Sequence, residues 1–427
     1  MSQQQFLFSP EELFKEPLKK YELFFSLLDL SSLESPATAG RKPVSRAALT
    51  RALIFKNLRS LPTLSDLVVE LYERPALAFT LGFQPKTNIL PVERFSAFLR
   101  DTDNLLFQNI REELVQKLIS SKIIKGRYLS FDACPIKANV KHNNPKTNVK
   151  ERFSKEHPPK NDPDCRIGAF ATFRSGTKKV EFFWGYRNHV TNDTESELPL
   201  IEKTLPANIR GSSIAFSQLQ FVKEQLPVKV KAVMGDSEYD AASLIEFIVK
   251  ELGAKPRIAR NIRRGESPIT NVSHSGVPVC IAGFEMISRG IFWDKKQNRK
   301  RHKFVCPITG SKKFAKEHPF CPWFHPQFKR GNGCYKNIRV DVDESIRHNI
   351  DYGSESFKKD YNRRSSSERI FSRLLSLLMQ EPTVKGLQAT ANFCTIAHIT
   401  VLAVAYFASF VNEPKRIRFV KTFIPYL

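Results

Sequence analysis

From Gly126 onward the hydrophobic pattern changes from helical spacing to short apolar runs, and that change leaves few architectures open. Tyr128-Leu129-Ser130-Phe131 predicts a short strand ending at Asp132. Two β-rich runs, 165–176 and 178–190, are separated by a Ser175-Gly176 turn and predict a hairpin. A polar loop rich in Lys, Asn and Pro fills 137–164. A helix is expected over 214–226, then a strand ending at Asp236, a helix closed by Gly253, and a further strand at 255–261. Strands and helices that alternate in this way need parallel crossovers, hence a mixed sheet with flanking helices.

Three early strands, helix, strand, helix, strand and a late helix is the element order of a ribonuclease H-like core. Asp132 and Asp236 each follow an apolar strand and precede a polar turn, the edge at which ligands gather in open α/β sheets. Asp240 is the better candidate to cap the helix after Asp236, and Glu238 is a second neighbour of that site. The late helix is announced by residues 361–374, where Ile370, Leu374, Leu377 and Leu378 recur at helical spacing. Tyr361, Arg364 and Glu368 are spaced by three and four and share a polar stripe offset from the apolar one. A phenol, a guanidinium and a carboxylate on one face suit a metal ion and a phosphate. Two plainer readings stand beside this one: Ser365-x-x-Glu368 fits a capping box, and Arg364 with Glu368 fits an ordinary i,i+4 pair.

Tyr361-x2-Arg364-x3-Glu368 resembles the Y-x2-R-x3-E-x6-K signature of bacterial and archaeal insertion-sequence transposases of the cut-and-paste type, which carry a DDE catalytic triad. Leu375 stands where the family has its Lys; Arg373, two residues earlier, is basic but would point elsewhere on the helix, and is a candidate DNA contact. The resemblance implies that Asp132, Asp236 and Glu368 are the catalytic, metal-binding carboxylates for two Mg2+ ions, with Mn2+ able to substitute. It implies that Tyr361 and Arg364 position phosphate. Hard cations take oxygen ligands, and two such ions activate a nucleophile and stabilise a leaving oxygen. Double-stranded DNA, as element ends and target, is the implied partner, and synapsis of two ends implies a homodimer. The rival readings are a ribonuclease H-like nuclease that cuts without joining, and a DNA-binding relative whose site has decayed.

The expected organisation is a helical DNA-end-binding or dimerisation domain over 1–122, a catalytic domain over 123–264 and 351–427, and a β-rich insertion over 265–350. Helical spacing at Leu49, Leu53 and Leu58, and at Leu67 and Leu71, supports the first. The insertion holds Trp293 beside Phe292, followed by Lys295, Lys296, Arg299, Lys300 and Arg301. Trp293, Lys295 and Lys296 are candidate DNA contacts, the ring as a stacking platform and the cations for phosphate. A core aromatic in a hairpin is the competing reading of Trp293. Cys306-x14-Cys321-x12-Cys334, with His318 and His325, raises a zinc reading without any C-x2-C pair, and buried thiols are the default. Asp193, Glu195 and Glu197 read as solvated loop charges.

Charge agrees with a polyanionic partner. Lys and Arg number 67 against 43 Asp and Glu, a formal net charge of +24 spread along all 427 residues. The apolar stretch 393–411 reads as a buried core helix rather than a membrane span. With seven cysteines and no basic-then-apolar leader pattern, the expectation is reduced thiols and a cytoplasmic, nucleoid-associated protein without a membrane partner.

Overall fold

The computed structural model describes residues 17–34, 44–84, 90–174, 177–261, 271–273, 277–323, 333–341, 346 and 350–424. The chain is α/β, with strands paired both antiparallel and parallel, and divides into two compact units: Met1–Lys229 with Arg363–Leu427, and Val230–Asn362.

The first unit opens with helices α1 (Pro17–Ser26), α2 (Arg46–Arg59), α3 (Leu64–Glu73), α4 (Pro75–Thr80), α5 (Val92–Asp101) and α6 (Asn104–Ser120). Their ends follow local chemistry. The Ser45 hydroxyl accepts from Ala48 N–H at the start of α2, and Thr63 with Asp66 forms a reciprocal capping box on α3. Leu64, Leu67 and Leu71 then fall on the buried face of α3. Strands β1 (Tyr128–Lys137), β2 (Arg166–Arg174), β3 (Thr177–Asp193) and β4 (Leu198–Pro206) follow, with helix α7 (Gly211–Gln225) after them. β3 pairs antiparallel with β1, β2 and β4. The predicted hairpin is present, Arg174 opposite Thr177, and its Ser175-Gly176 turn lies outside the described residues.

In the second unit β5 (Ala232–Gly235) and β6 (Lys255–Ile258) pair parallel around helix α8 (Ala242–Lys250), as a crossover requires. The β-rich segment carries short strands β7 (Asn271–Val272) and β8 (Pro278–Val279), then β9 (Ile287–Asp294) and β10 (Arg299–Val305). Short helices α9 (Pro307–Gly310) and α10 (Lys312–Glu317) come next, then β11 (Tyr335–Arg339). β10 lies between β9 and β11 in one antiparallel sheet. Helix α11 (Glu355–Tyr361) closes the unit against β5 and β6, held where Arg257 of β6 reaches Asp360 at 3.1 Å and Ser356 at 3.1 Å.

The chain returns to the first unit through α12 (Ser365–Ser376) and ends on α13 (Leu387–Phe410). α13 is apolar on every side, and a helix of that kind belongs inside protein. It is the described helix long and apolar enough to cross a membrane, and 83% of that window is buried in the fold. The N-terminal helices α2, α5 and α6 pack directly on it, as does β4. Several of its buried polar groups share one network, although Thr390 Oγ1 and His398 Nδ1 have no hydrogen-bond partner. Glu202 accepts from Asn188 at 2.6 Å and Thr395 at 2.6 Å, and the Asn188 carbonyl oxygen faces His398 Nε2 at 2.9 Å. Gln108 and the fully buried Arg111 of α6 complete this network.

Three local expectations are corrected. β1 continues to Lys137, so Asp132 sits within the strand, opposite Val190, rather than at its end. Asp193 and Glu197 are buried, and Glu195 pairs with Arg127 Nε at 2.9 Å, so this acidic run is built into the fold and is not a solvated loop. Asp240 does not cap α8, whose N-cap is Ala241; its carboxylate accepts from Asn261 N–H at 2.8 Å instead.

Candidate active site

Within the first unit, β1 and α12 bring two of the expected carboxylates to one guanidinium. Arg364 Nη2 donates to Glu368 Oε1 at 3.1 Å, and its Nη1 stands 3.9 Å from Asp132 Oδ2. Asp132 Oδ1 accepts the neighbouring Ala133 N–H at 2.8 Å. Glu368 is 64% exposed, so its carboxylate remains open to solvent and to a ligand. Ser365 does not form the capping box: the α12 N-cap is Arg364, without a side-chain cap bond. The Arg364–Glu368 pair expected from i,i+4 spacing is formed, and it also reaches toward Asp132.

What holds α12 on the strands is a buried set of small polar groups. Ser130 of β1 meets Ser367 at 2.9 Å, Ser367 donates to Asn192 of β3 at 2.9 Å, and Asn192 donates to Ser366 at 3.0 Å. Hydroxyls let the helix approach the strands closely while every partner stays bonded, and a half-satisfied set there would be costly. Sequence reasoning passed over these residues. The signal was the run Ser365-Ser366-Ser367 placed just ahead of the apolar positions of α12.

The other flank of α12 is anchored by Glu197. Its carboxylate is 8% exposed and receives Arg369 Nε at 2.7 Å, Arg373 Nη1 at 3.2 Å and Arg418 Nη1 at 3.3 Å. Arg373 also donates to the Glu197 carbonyl. Burial pulls the Arg373 pKa down and the Glu197 contact opposes that shift. The residue expected to contact DNA is thus engaged inside the protein. Arg363, one residue before Arg364, lies over the Tyr128 ring at 4.2 Å.

Asp236 and Tyr361 belong to the second unit. Asp236 follows β5, is half-buried, and its carboxylate accepts from Glu238 N–H at 2.8 Å to cap the 3-10 turn Ser237–Tyr239. Asn261, just past β6, donates to Ser237 O at 3.2 Å and ties the two strand exits together. Tyr361 ends α11, its ring stacked on Phe357 at 5.8 Å.

Trp293 is 54% exposed on β9, beside exposed Ile291 and Phe292, so it is no core aromatic. Lys295 and Lys296 are exposed in the β9–β10 turn, and Trp293 pairs across to Lys300. Arg301 is partly neutralised by Asp294 at 3.0 Å. An exposed apolar and aromatic strand thus lies beside a cationic one.

Oxygen donors of this kind fit Mg2+ in chemistry, and the Arg364 guanidinium between Asp132 and Glu368 marks a place where the fold accepts positive charge. Among the described residues no three His, Cys, Asp or Glu side chains stand together ready to hold a metal.

No protein-family model matches the chain, and no curated protein matches it in sequence. Among solved structures it is similar to a piggyBac transposase synaptic complex with hairpin DNA, at 12% identity and a TM-score of 0.39, over 96% of this chain and 80% of that one.

Proposed function

We propose that this chain is a DNA transposase that binds the terminal inverted repeats of an insertion sequence, cleaves strands with Mg2+ and transfers them to target DNA. The observation that carries the reading is the Asp132–Arg364–Glu368 cluster, two carboxylates from β1 and α12 facing one guanidinium on a helix locked to the strands. It supports the Tyr-x2-Arg-x3-Glu resemblance with geometry that an isolated i,i+4 pair lacks. In this reading Asp132, Asp236 and Glu368 hold the ions, which supply an activated oxygen nucleophile and neutralise charge at phosphate. Arg364 keeps Glu368 aimed and, with Tyr361, positions the phosphate. Trp293, Lys295 and Lys296 hold DNA outside the reacting centre. Two DNA ends call for two copies of the chain.

The test incubates the protein with linear DNA carrying its gene's own flanking ends, in Mg2+ or EDTA, as wild type and as Glu368→Gln. Metal-dependent nicks at the repeat boundary, lost in the variant while DNA binding persists, are expected. Equal loss of binding assigns Glu368 a structural role. Pre-cut ends that are never joined select a nuclease. The decayed-relative reading is favoured by one observation, Leu375 in the signature position of Lys, and binding without nicks in Mg2+ or Mn2+ would select it.

A further inference from the structure

The β-rich segment of the second unit has a very thin apolar core. Apart from Pro278 and Pro307, its buried apolar side chains among the described residues are Cys280, Met286, Phe304, Cys306, Ile308 and Cys321, and three of those six are cysteines. β9 is almost wholly exposed on both faces. So small a core gives little hydrophobic stabilisation, and segments of this kind are commonly held by a covalent or metal cross-link.

Four thiols meet where such a link belongs. Cys280, Cys306, Cys321 and Cys334 line one cavity, its other walls apolar, among them Phe284, Ile308 and Trp323. They come from four separate places in the chain: the turn after β8, the start of α9, the segment after α10 and the approach to β11. The backbone is shaped to gather them. Cys280 N–H donates to Phe284 O at 2.8 Å and Gly283 N–H to Cys280 O at 2.9 Å, a tight turn closed by a glycine at φ 83°. Cys306 O receives Gly310 N–H at 2.8 Å in a second cysteine-to-glycine turn, and Cys306 N–H donates to Cys334 O at 2.8 Å. Gly333 has φ 62°, and a Cβ there would come within 2.7 Å of the Cys306 Cβ, so only glycine lets the Cys334 strand lie this close.

We propose that Cys280, Cys306, Cys321 and Cys334 form a structural zinc site that cross-links the β-rich segment. Four thiolates with no carboxylate select a soft, tetrahedral ion, and a closed four-sulfur set leaves no position for substrate. The thiols share the cavity without standing in a ready ligand set, and under this proposal the sulfurs would have to draw together on binding the ion. Each thiol releases its proton to solvent as its sulfur is bound. The spacing explains why the site is hard to see: 25 residues separate Cys280 from Cys306 with nothing between to mark it, and no C-x2-C pair exists. His318, a sequence candidate, does not line the cavity but stacks against Phe314 at 4.5 Å and Phe284 at 4.9 Å. His325 lies outside the described residues.

The experiment uses the full chain, purified under reducing conditions. Elemental analysis is expected to find one zinc per chain, released when a mercurial titrates four thiols. After removal of zinc, titration with Co2+ is expected to give thiolate-to-metal charge-transfer absorption and the visible bands of a tetrahedral site. Cys306→Ser with Cys334→Ser removes the bound equivalent and the absorption, whereas Cys134→Ala and Cys394→Ala, which alter buried thiols in the first unit, leave both intact. Reduced wild-type protein that shows no thiolate absorption with Co2+ overturns the proposal, independently of whether any variant folds. So does absorption that persists in the double variant, or a mass decrease showing that these thiols are disulfide-bonded in the metal-free protein.

Discussion

Arg373 offers the sharpest contest between a role as a DNA contact and a role in holding the fold. The substitution is Arg373→Ala, with Arg373→Met to keep the apolar stem. Arg373 is 16% exposed and Glu197 8% exposed, and they meet at 3.2 Å. Removing one partner of a buried ion pair costs about 3–5 kcal/mol when the other charge is left alone. Glu197 is not left alone, since Arg369 and Arg418 remain, but both are about half-exposed and such pairs contribute roughly 0–1 kcal/mol each. The Glu197 carbonyl also loses a donor, about 1 kcal/mol. Together these place the expected loss at about 3 kcal/mol, some two decades in the folding equilibrium.

Tryptophan fluorescence suits the measurement. Trp184 is buried in the first unit, whereas Trp293 and Trp323 are exposed, so the change in emission on unfolding reports mainly the unit that contains Arg373. Urea unfolding of Arg373→Ala and Arg373→Met should show lower midpoints, with the Met variant less affected. On the proposed function, duplex DNA binding by the folded fraction should keep the wild-type salt dependence, because this guanidinium is engaged by Glu197. A midpoint within about 0.5 kcal/mol of wild type, with the salt slope reduced by about one contact, would refute the reasoning and restore Arg373 as a DNA contact.

Two further outcomes are expected. His398 is fully enclosed, and burial lowers its pKa from the ordinary value of 6.5 to about 4, so the folded state holds the neutral ring that donates from Nε2 to Asn188. An unfolded chain binds the proton first as pH falls, so this stability is complete above pH 6.5 and declines toward pH 4. About 2 kcal/mol should be lost between pH 7 and pH 5, and His398→Gln should flatten that dependence in urea melts. Trp293→Ala should weaken single-stranded DNA binding by about 1–3 kcal/mol if a base stacks there, while shifting unfolding by less than about 0.5 kcal/mol. Unchanged anisotropy titrations would remove Trp293 from the DNA surface.

Period and punctuation made the elements legible. The hairpin of β2 and β3, the β5–α8–β6 crossover and the buried α13 all follow from local patterns that act within one element. What escaped depends on partners far apart in the chain. Nothing around Asp193-Thr194-Glu195-Ser196-Glu197 marks it as interior, because the cations that make burial tolerable arrive from Arg127, Arg369, Arg373 and Arg418. The strand through Asp132 ran longer than its apolar run because the β3 partner continues past it, and pairing rather than composition sets a strand's length. Cys280 escaped for the same reason: only the fold brings it to Cys306, Cys321 and Cys334.

Helix α12 shows why a sequence motif is read more safely as a set of faces than as a string. Ser366 and Ser367 bond to the strands, Arg369 and Arg373 grip Glu197, and Arg364 with Glu368 is turned toward Asp132. The first two faces are satisfied within the protein and fix where the third can point. By helical spacing Leu375 shares the stripe of Arg364 and Glu368 rather than the flank of Arg369 and Arg373, so its departure from the signature removes a cation from that stripe and leaves the contacts that place the helix intact. Loss of strand cleavage in Glu368→Gln, set beside loss of stability in Arg373→Ala, would therefore separate the face that works on substrate from the face that holds it in place.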